Sequence, residues 1–289
     1  MFESRQFHKV KNQRNPHGAE MQAKPLLEIK GLKTWYPVKK GVFARTVGHI
    51  RAVDGVDLEL FQGETVGIVG ESGCGKTTLA RSILRLERPC EGTITLNGRN
   101  IFALRGKALQ DYRRTVQVVF QDPQASLNPR HTVLDLITEA LLVHKLVARE
   151  NRREVAARLL EEVGLAGDFL DRYPHAFSGG QRQRICIARA LALKPQILIC
   201  DEAVSALDLS VRAQVLNLLE ELKERHGMSY LFITHDIGVV QHLADRIAVM
   251  NAGKIVEYGD AEQVLNRPQH GYTQKLLAAV PRVRNRKGA

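Results

Sequence analysis

Residues 70–77 have the types and spacing of a phosphate-binding loop. The loop reads Gly70-Glu71-Ser72-Gly73-Cys74-Gly75-Lys76-Thr77, and Thr78 follows it. Its glycines let successive backbone N–H groups point into one anion-sized concavity, and a helix after the loop adds the positive end of its dipole. The lysine of such a loop reaches the β- and γ-phosphates, and the threonine hydroxyl is a ligand for Mg²⁺. The loop therefore predicts that residues 70–78 bind a nucleoside triphosphate.

The segments on either side supply the elements that this motif requires. Thr65–Val69 is a short apolar run typical of a buried strand, and residues 78–84 have the pattern of a helix. The alternative is a glycine-rich turn with an incidental lysine. A strand before the loop and a helix after it favour nucleotide binding.

Two acidic residues follow a second apolar strand. Residues 197–200 are apolar and lead directly into Asp201 and Glu202. Asp201 can hold Mg²⁺, directly or through water, and Glu202 is placed to polarise a water molecule that attacks the γ-phosphorus. Solvated charges at a strand end are the alternative, which the phosphate loop upstream makes the weaker interpretation.

Two further predicted strands also end in polar side chains. Residues 115–120 lead to Gln121, and residues 229–234 lead to His235. Ligands of parallel α/β sheets bind at the carboxyl ends of the strands. We therefore expect Gln121 to contact the metal or the attacking water, and His235 to contact the γ-phosphate. A loop-capping glutamine and a structural histidine are the alternatives.

A pair of glycines begins another predicted helix, which runs through Leu193. Ser178 and Gln181 have the spacing of a capping box. Gly179 and Gly180 between them each cost of order 1 kcal/mol in helix propensity. An anionic group that approaches the backbone explains these two glycines better than capping does.

The first strands of the chain form a predicted antiparallel sheet. A strand begins near residue 26 and ends at Trp35 and Tyr36, one of which can stack on adenine, and we place Tyr36 in the nucleotide site. A cross-strand aromatic pair is the alternative. Residues 37–49 are interpreted as a basic loop, residues 50–61 as a strand, and residues 92–98 as a strand that ends in an Asn-Gly turn.

Helical periodicity covers residues 132–166, as two helices separated by the charged residues 149–154. Together these patterns predict an α/β fold: a phosphate-loop cassette with a mostly parallel core sheet, an antiparallel β subdomain and a helical subdomain at about residues 132–194. The cassette domain is predicted to cover residues 25–280.

The composition of the chain indicates which classes of protein it can belong to. The chain has 289 residues, of which 44% are hydrophobic and 25% charged, as in an ordinary globular protein. It has neither an apolar run of the roughly 18 residues that cross a bilayer nor the apolar core of a secretion signal. Four cysteines at unpaired spacings argue against a metal or disulfide framework.

The formal charge of +11 is concentrated at the two ends of the chain. Residues 1–24 carry +3 and the last eight residues carry +4. Such ends, predicted to be disordered tails at residues 1–24 and 281–289, are typical of solvated segments or of segments that lie near an anionic membrane. We therefore expect no nucleic-acid partner.

These motifs, in content and in order, resemble the ATP-binding-cassette ATPases over about residues 26–280. The resemblance implies ATP and Mg²⁺ as ligands. It also implies that two cassettes close head to tail, so that Ser178 and Gly180 serve the ATP held by the opposite subunit. The further partners implied are two transmembrane permease subunits and an external solute-binding protein, with this chain peripheral on the cytoplasmic face of the inner membrane.

Two segments narrow the resemblance to one branch of that family. Residues 119–130 are similar to the glutamine loop of the dipeptide, oligopeptide and nickel importers, and residues 268–277 to their His-Pro-Tyr-Thr tail motif. Gly271 replaces the usual proline of the tail motif, and Ala203 stands where a proline commonly follows the acidic pair. The branch implies import of di- or oligopeptides, with nickel or another small solute as the alternative. A soluble cassette ATPase acting on nucleic acid or ribosomes is the competing class.

Overall fold

The computed structural model of the chain describes residues 24–40 and 45–279. The predicted tails therefore lie outside the described residues, apart from Lys24. The strands are β1 (Leu27–Lys40), β2 (Arg45–Leu60), β3 (Thr65–Val69), β4 (Glu91–Leu96), β5 (Arg99–Asn100), β6 (Val116–Val119), β7 (Ile197–Asp201), β8 (Ser229–Thr234), β9 (Arg246–Asn251) and β10 (Lys254–Asp260). The α-helices are α1 (Lys76–Ile83), α2 (Gly106–Thr115), α3 (Pro123–Ser126), α4 (Val133–Val143), α5 (Arg152–Glu162), α6 (Gly179–Leu191), α7 (Leu209–His226), α8 (Ile237–Leu243), α9 (Ala261–Asn266) and α10 (Gly271–Ala278). Short 3₁₀ helices lie at Ile101–Ala103, Arg149–Asn151, Gly167–Asp171 and Pro174–Ala176.

The core of the molecule is a mostly parallel sheet with the strand order β10-β9-β3-β8-β7-β6. The strand β3 pairs in parallel with β8 on one side and with β9 on the other, while β10 is antiparallel to β9. Every residue of β3, β7 and β8 is buried, as expected for parallel strands covered on both faces. This topology brings the carboxyl ends of β3, β6, β7 and β8 to one edge, and it confirms the predicted fold class.

A second, antiparallel sheet has the order β2-β1-β4-β5. The prediction of a loop over residues 37–49 was wrong where the chain is described, because β1 continues to Lys40 and β2 begins at Arg45. The two strands stay paired along this stretch, for example at Val38 and Gly48, and form an exposed ribbon whose polar composition hid its strand character. The predicted Asn-Gly turn joins β4 to β5, with φ of +50° at Asn97 and +74° at Gly98.

The helical segment packs on one face of the parallel sheet. Side chains of α4, α5 and α6, such as Ile137, Leu160 and Ile185, share one apolar cluster with Leu198 and Phe232 of the sheet. The predicted charged separator at residues 149–154 was wrong in its second half, because α5 already begins at Arg152. No elements were predicted for residues 99–114 or 236–267, where β5, α2, α8, β9, β10 and α9 lie.

Candidate nucleotide-binding site

The phosphate loop joins β3 to α1, and α1 begins at Lys76 rather than at residue 78. Two of its glycines are clamped between neighbouring strands. A Cβ on Gly70 would lie 2.1 Å from the Met250 carbonyl oxygen at the end of β9, and one on Gly75 would lie 2.0 Å from the Ala52 carbonyl oxygen of β2. Gly75 also has φ of +112°, which L side chains rarely adopt. The loop can take this shape only with glycine at these positions.

Lys76 is folded back over the loop that precedes it. Its Nζ donates hydrogen bonds to the carbonyl oxygens of Gly70 (2.7 Å) and Glu71 (2.8 Å), and the residue is only 4% exposed. The Cys74 N–H also donates to the Glu71 carbonyl, at 3.3 Å. These bonds fix an ammonium group at the centre of the loop, where an anion would meet it.

Asp201 is the last residue of β7 and lies beside the phosphate loop. The Thr77 hydroxyl donates to its Oδ1 at 3.4 Å. Burial raises the pKa of Asp201, and the charge of Glu202 raises it further, while the Thr77 hydrogen bond and the cations Lys76 and Arg81 oppose the rise. A carboxylate whose ionised form is disfavoured in this way gains from a bound cation.

These oxygen donors suit Mg²⁺. Over residues 24–40 and 45–279, the structure holds no cluster of three or more His, Cys, Asp or Glu side chains that could bind a metal by themselves. Mg²⁺ commonly takes only one or two protein oxygens and completes its octahedron with water and phosphate. Thr77 and Asp201 fit that mode of binding.

Glu202 follows Asp201 but turns away from it. Its backbone is in the left-handed region, with φ of +50°, a conformation that costs a non-glycine residue about 1–3 kcal/mol. The Glu202 N–H donates to the Ile233 carbonyl of β8 at 2.8 Å, which ties the turn to the neighbouring strand. The carboxylate Oε1 lies 3.3 Å from Nδ1 of His235. Glu202 and His235 therefore form a pair at the adjoining ends of β7 and β8.

One cleft brings together eight of the predicted site residues. It is lined by Ala52, Ser72, Gly73, Gly75, Lys76, Thr77, Thr78, Gln121 and Glu202. Gln121 enters it from the carboxyl end of β6, while Asp201 and His235 contact residues of the lining. Ala52 was missed by the sequence analysis because it contributes its backbone at a shift in the β1–β2 register, for which side-chain pattern carries no signal.

The four residues from Ser178 to Gln181 lie outside this cleft, at the start of α6. They form the capping box that was the alternative interpretation: the Ser178 N–H donates to Gln181 Oε1 (3.0 Å) and the Gln181 N–H donates to Ser178 Oγ (3.3 Å). A Cβ on Gly180 would lie 2.4 Å from Val211 Cγ1 of α7, so packing accounts for that glycine. A Cβ on Gly179 would meet nothing closer than Leu207 Cδ2 at 4.0 Å, so packing does not account for this glycine.

The two adjacent aromatics of β1 face opposite ways. The Trp35 indole N–H donates to Asp54 Oδ1 at 3.2 Å, and the Arg51 guanidinium lies 4.7 Å from its ring centre. Tyr36 shares the other face of the strand with Thr34, whose hydroxyl lies 3.1 Å from that of Ser82 on α1. Tyr36 is thus on the side of the helix that follows the phosphate loop.

A second contact that the sequence analysis missed comes from the end of the chain. The hydroxyl of Tyr272 accepts a hydrogen bond from the Glu71 N–H at 3.1 Å. Tyr272 was predicted only as part of the tail motif, because a separation of 201 positions along the chain gives no sign that the two residues meet.

Among the described helices, none is both long enough and apolar enough to span a bilayer.

Family models match two parts of the chain. A model described as "ABC transporter" matches residues 53–205, and one described as "Oligopeptide/dipeptide transporter, C-terminal region" matches residues 256–289. The first match contains the phosphate loop, the capping box of α6 and the acidic pair. The second contains Tyr272.

Curated relatives and solved structures resemble the chain over most of its length. The oligopeptide transport ATP-binding protein AppF of Bacillus subtilis is 50% identical over 90% of this chain and 80% of its own length. The dipeptide transport ATP-binding protein DppF of Escherichia coli is 49% identical over 90% of this chain and 77% of its own. The glutathione import ATP-binding protein GsiA of Pectobacterium atrosepticum is 50% identical, but this chain spans only 42% of its length. The ATP-binding cassette MJ0796, in a dimeric structure with ADP and Pi, superimposes with a TM-score of 0.71 at 31% identity, over 81% of this chain and 98% of that one.

Proposed function

The chain belongs to the ABC transporter family of ATP-binding cassette ATPases, and we propose that it hydrolyses ATP to drive the import of di- and oligopeptides. The observation that carries the ATPase is the convergence of the phosphate loop, Gln121 and Glu202 on one cleft. The peptide cargo rests on the C-terminal family match and on the relatives AppF and DppF.

The phosphate loop is proposed to bind the phosphates of the nucleotide. The backbone N–H groups of residues 73–78 and the dipole of α1 attract the phosphates. Lys76 keeps its hydrogen bonds to the carbonyl oxygens of Gly70 and Glu71, and the remaining donor of its ammonium group turns to the oxygens of the β- and γ-phosphates, so its side chain needs only a small movement. Tyr36 is the aromatic face proposed for adenine, since Trp35 is directed to the other side of β1.

Thr77 and Asp201 are the residues proposed to hold Mg²⁺, with Gln121 beside them, and the bound cation supplies neutralisation of phosphate charge. Glu202 orients a water molecule and accepts its proton as the water oxygen attacks the γ-phosphorus. The bond from that phosphorus to the bridging oxygen breaks, and the electron pair leaves with ADP. His235, whose Nδ1 lies 3.3 Å from Glu202 Oε1, is proposed to hold that carboxylate and to contact the γ-phosphate.

The assembly proposed for this chain contains a second cassette. Ser178 and Gly180 lie outside their own chain's cleft, which supports a role toward nucleotide held by a partner, and MJ0796 is itself described as dimeric. Two permease subunits and an external binding protein complete the proposed importer, with this chain at the cytoplasmic face of the inner membrane. The cassette domain is proposed to cover residues 25–280, with the helical subdomain at about 132–194. The stretch 132–166 is our candidate for the permease contact, since it lies between the strands that carry Gln121 and Asp201.

The test combines turnover with uptake. We expect Glu202→Gln to bind ATP with its phosphate loop intact but to hydrolyse it at least about 100-fold more slowly, because the group that accepts the proton is lost. Glu221→Gln removes an exposed carboxylate of α7 and is the matched control, with normal turnover. Near-normal hydrolysis by Glu202→Gln would remove this residue from the catalytic role.

Cargo is tested by uptake of a labelled di- or oligopeptide. Cells that lack this chain should regain uptake with the wild-type chain and with Glu221→Gln, and should remain deficient with Glu202→Gln. Equal peptide uptake in all of these cells, together with loss of another solute's uptake, would leave the ATPase standing and refute the peptide cargo.

A further inference from the structure

The C-terminal helix α10 packs directly behind the phosphate loop. Besides the bond from the Glu71 N–H to the Tyr272 hydroxyl, the side chains of Tyr272, Leu276 and Leu277 pack on an apolar cluster that contains Val69. Val69 is the last residue of β3, immediately before the loop. The contact with Glu71 is therefore part of a packed interface and not an isolated hydrogen bond.

The backbone of Glu71 is hydrogen-bonded at both its N–H and its carbonyl oxygen. The N–H donates to Tyr272, and the carbonyl oxygen accepts from Lys76 Nζ at 2.8 Å and from the Cys74 N–H at 3.3 Å. A shift of the Glu71 backbone would move the oxygen that holds the lysine. The Tyr272 hydroxyl thus fixes a group that in turn orients Lys76.

The start of α10 is itself held by Glu257 of β10. Its carboxylate accepts hydrogen bonds from the backbone N–H groups of Gln269 (2.8 Å) and His270 (3.0 Å). The imidazole Nδ1 of His270 caps the helix by accepting from the Tyr272 N–H at 3.1 Å. Because β10 pairs with β9, and a Cβ on Gly70 would meet the Met250 carbonyl of β9, Glu257 anchors α10 to the sheet that carries the loop.

We propose that Tyr272 is a positioning residue for ATP binding: the segment from Glu257 to Ala278 holds the Glu71 backbone, and through it Lys76, in the arrangement that receives the phosphates. This inference rests on the proposed binding of ATP at the loop. It assigns to the C-terminal region a part in the nucleotide site that is independent of any contact with a permease.

The hydroxyl of Tyr272 can be removed while its ring stays packed. We expect Tyr272→Phe to weaken the affinity for ATP by roughly threefold to tenfold, the range of one net hydrogen bond. Because no group that touches the reacting atoms changes, KM for ATP should rise while kcat stays the same. The matched control is Tyr258→Phe on β10, which deletes a hydroxyl that donates to the Glu59 carbonyl at 2.9 Å, away from the loop. Its ATP affinity should equal that of the wild type.

A second measurement reports on the loop without nucleotide. Cys74 is 6% exposed, so an alkylating reagent reaches it only when the loop opens. We expect its rate of alkylation, followed on the Cys74 peptide by mass spectrometry, to rise in Tyr272→Phe and to stay at the wild-type value in Tyr258→Phe. Both variants should lose similar amounts of stability to urea, since each loses one hydroxyl hydrogen bond.

Glu257→Gln tests whether the anchor of α10 contributes to the position of Tyr272. It weakens the anchor of α10, so it should reduce ATP affinity in the wild-type background and reduce it less in the Tyr272→Phe background. Unchanged ATP affinity and unchanged Cys74 alkylation in Tyr272→Phe would overturn the inference. Failure of the wild-type chain to bind ATP would instead overturn the proposed function, so the two failures are distinguishable.

Discussion

Alanine substitutions at two glycines of the phosphate loop would distinguish the cost of backbone strain from the cost of a steric clash. Gly73 and Gly75 both have positive φ, +80° and +112°, but their surroundings differ. A Cβ on Gly73 would meet nothing within 4 Å, whereas one on Gly75 would lie 2.0 Å from the Ala52 carbonyl oxygen and 2.8 Å from Met250 Cε. Replacement of each by alanine therefore probes the clamp between β2, β9 and the loop.

The expected losses follow from these distances. Strain at positive φ costs about 1–3 kcal/mol in either variant. Gly75→Ala must in addition displace the β2 backbone, and forced overpacking of this kind costs about 1–3 kcal/mol. We therefore expect Gly75→Ala to lower the free energy of unfolding by about 2–6 kcal/mol and Gly73→Ala by about 1–3 kcal/mol. The gap corresponds to about 2–12 °C in melting temperature at the size of this chain.

Urea unfolding without nucleotide measures both losses on the same scale. The two variants should share the wild-type slope with denaturant and differ in midpoint, with Gly75→Ala lower. ATP affinity should fall in both, because residue 73 also lines the cleft. Equal midpoints, or a lower midpoint for Gly73→Ala, would refute the claim that Ala52 clamps the loop.

Three further predictions address the acidic pair, the loop lysine and the helical segment. In the absence of Mg²⁺, Asp201→Asn should raise the urea midpoint, because burial and then the charge of Glu202 raise the pKa of Asp201 above its ordinary 3.8 and so make its ionised form unfavourable in the folded chain. The same variant should abolish hydrolysis, because it removes a residue proposed to hold Mg²⁺. That gain in stability should be absent below about pH 3.8, grow as the pH rises and be complete above the raised folded-state pKa, so a less stable variant at pH 8 would contradict it. Lys76→Ala should weaken ATP binding more than roughly tenfold through loss of charged hydrogen bonds, and equilibrium dialysis showing unchanged affinity would exclude the loop as the phosphate site. Reversal of Arg153, which donates to Asp171 at 2.8 Å, should reduce peptide uptake and spare basal hydrolysis, and it should do so even with Asp171→Arg present to restore the pair. Recovery of uptake in that double variant would assign the loss to the ion pair and not to permease contact.

Local patterns predicted the parts of the fold that depend on local chemistry. The strand, loop and helix around residues 65–84 followed from a buried apolar run, obligatory glycines and a helix start, all within 20 residues of one another. The Asn-Gly turn at residues 97 and 98 was equally local, because its positive φ values suit those residue types. Strand order was not predictable in this way, since β3 lies between β8 and β9 and no residue of β3 encodes those partners.

The candidate site likewise contains residues that local pattern predicts and residues that distant elements bring in. Gln121 and Glu202 were placed in the cleft by a general rule about strand ends, which needs only the strand assignment. The contact of Thr34 with Ser82, which indicates the face of β1 that Tyr36 shares, has no sequence pattern, and the stacking of Tyr36 on adenine stays a prediction. Ala52 and Tyr272 meet the loop with a backbone carbonyl and a hydroxyl from distant elements, so neither has a recognisable sequence pattern. The roles assigned to the site residues remain predictions.

The strand β3 lies in the middle of the parallel sheet, and it is synthesised before the two strands that pair with it. Both strands that flank β3 are encoded late: Thr65 pairs with Tyr230, and Val66 pairs with Arg246. At 5–20 residues per second, about 160 residues separate β3 from its first parallel neighbour and take roughly 8–32 s to synthesise. During that interval an apolar strand and its loop have emerged with both edges unpaired, which exposes them to aggregation and to chaperones. The nascent cassette therefore acquires its nucleotide pocket only after β8 and β9 have been made, although the loop that defines the pocket is made well before them.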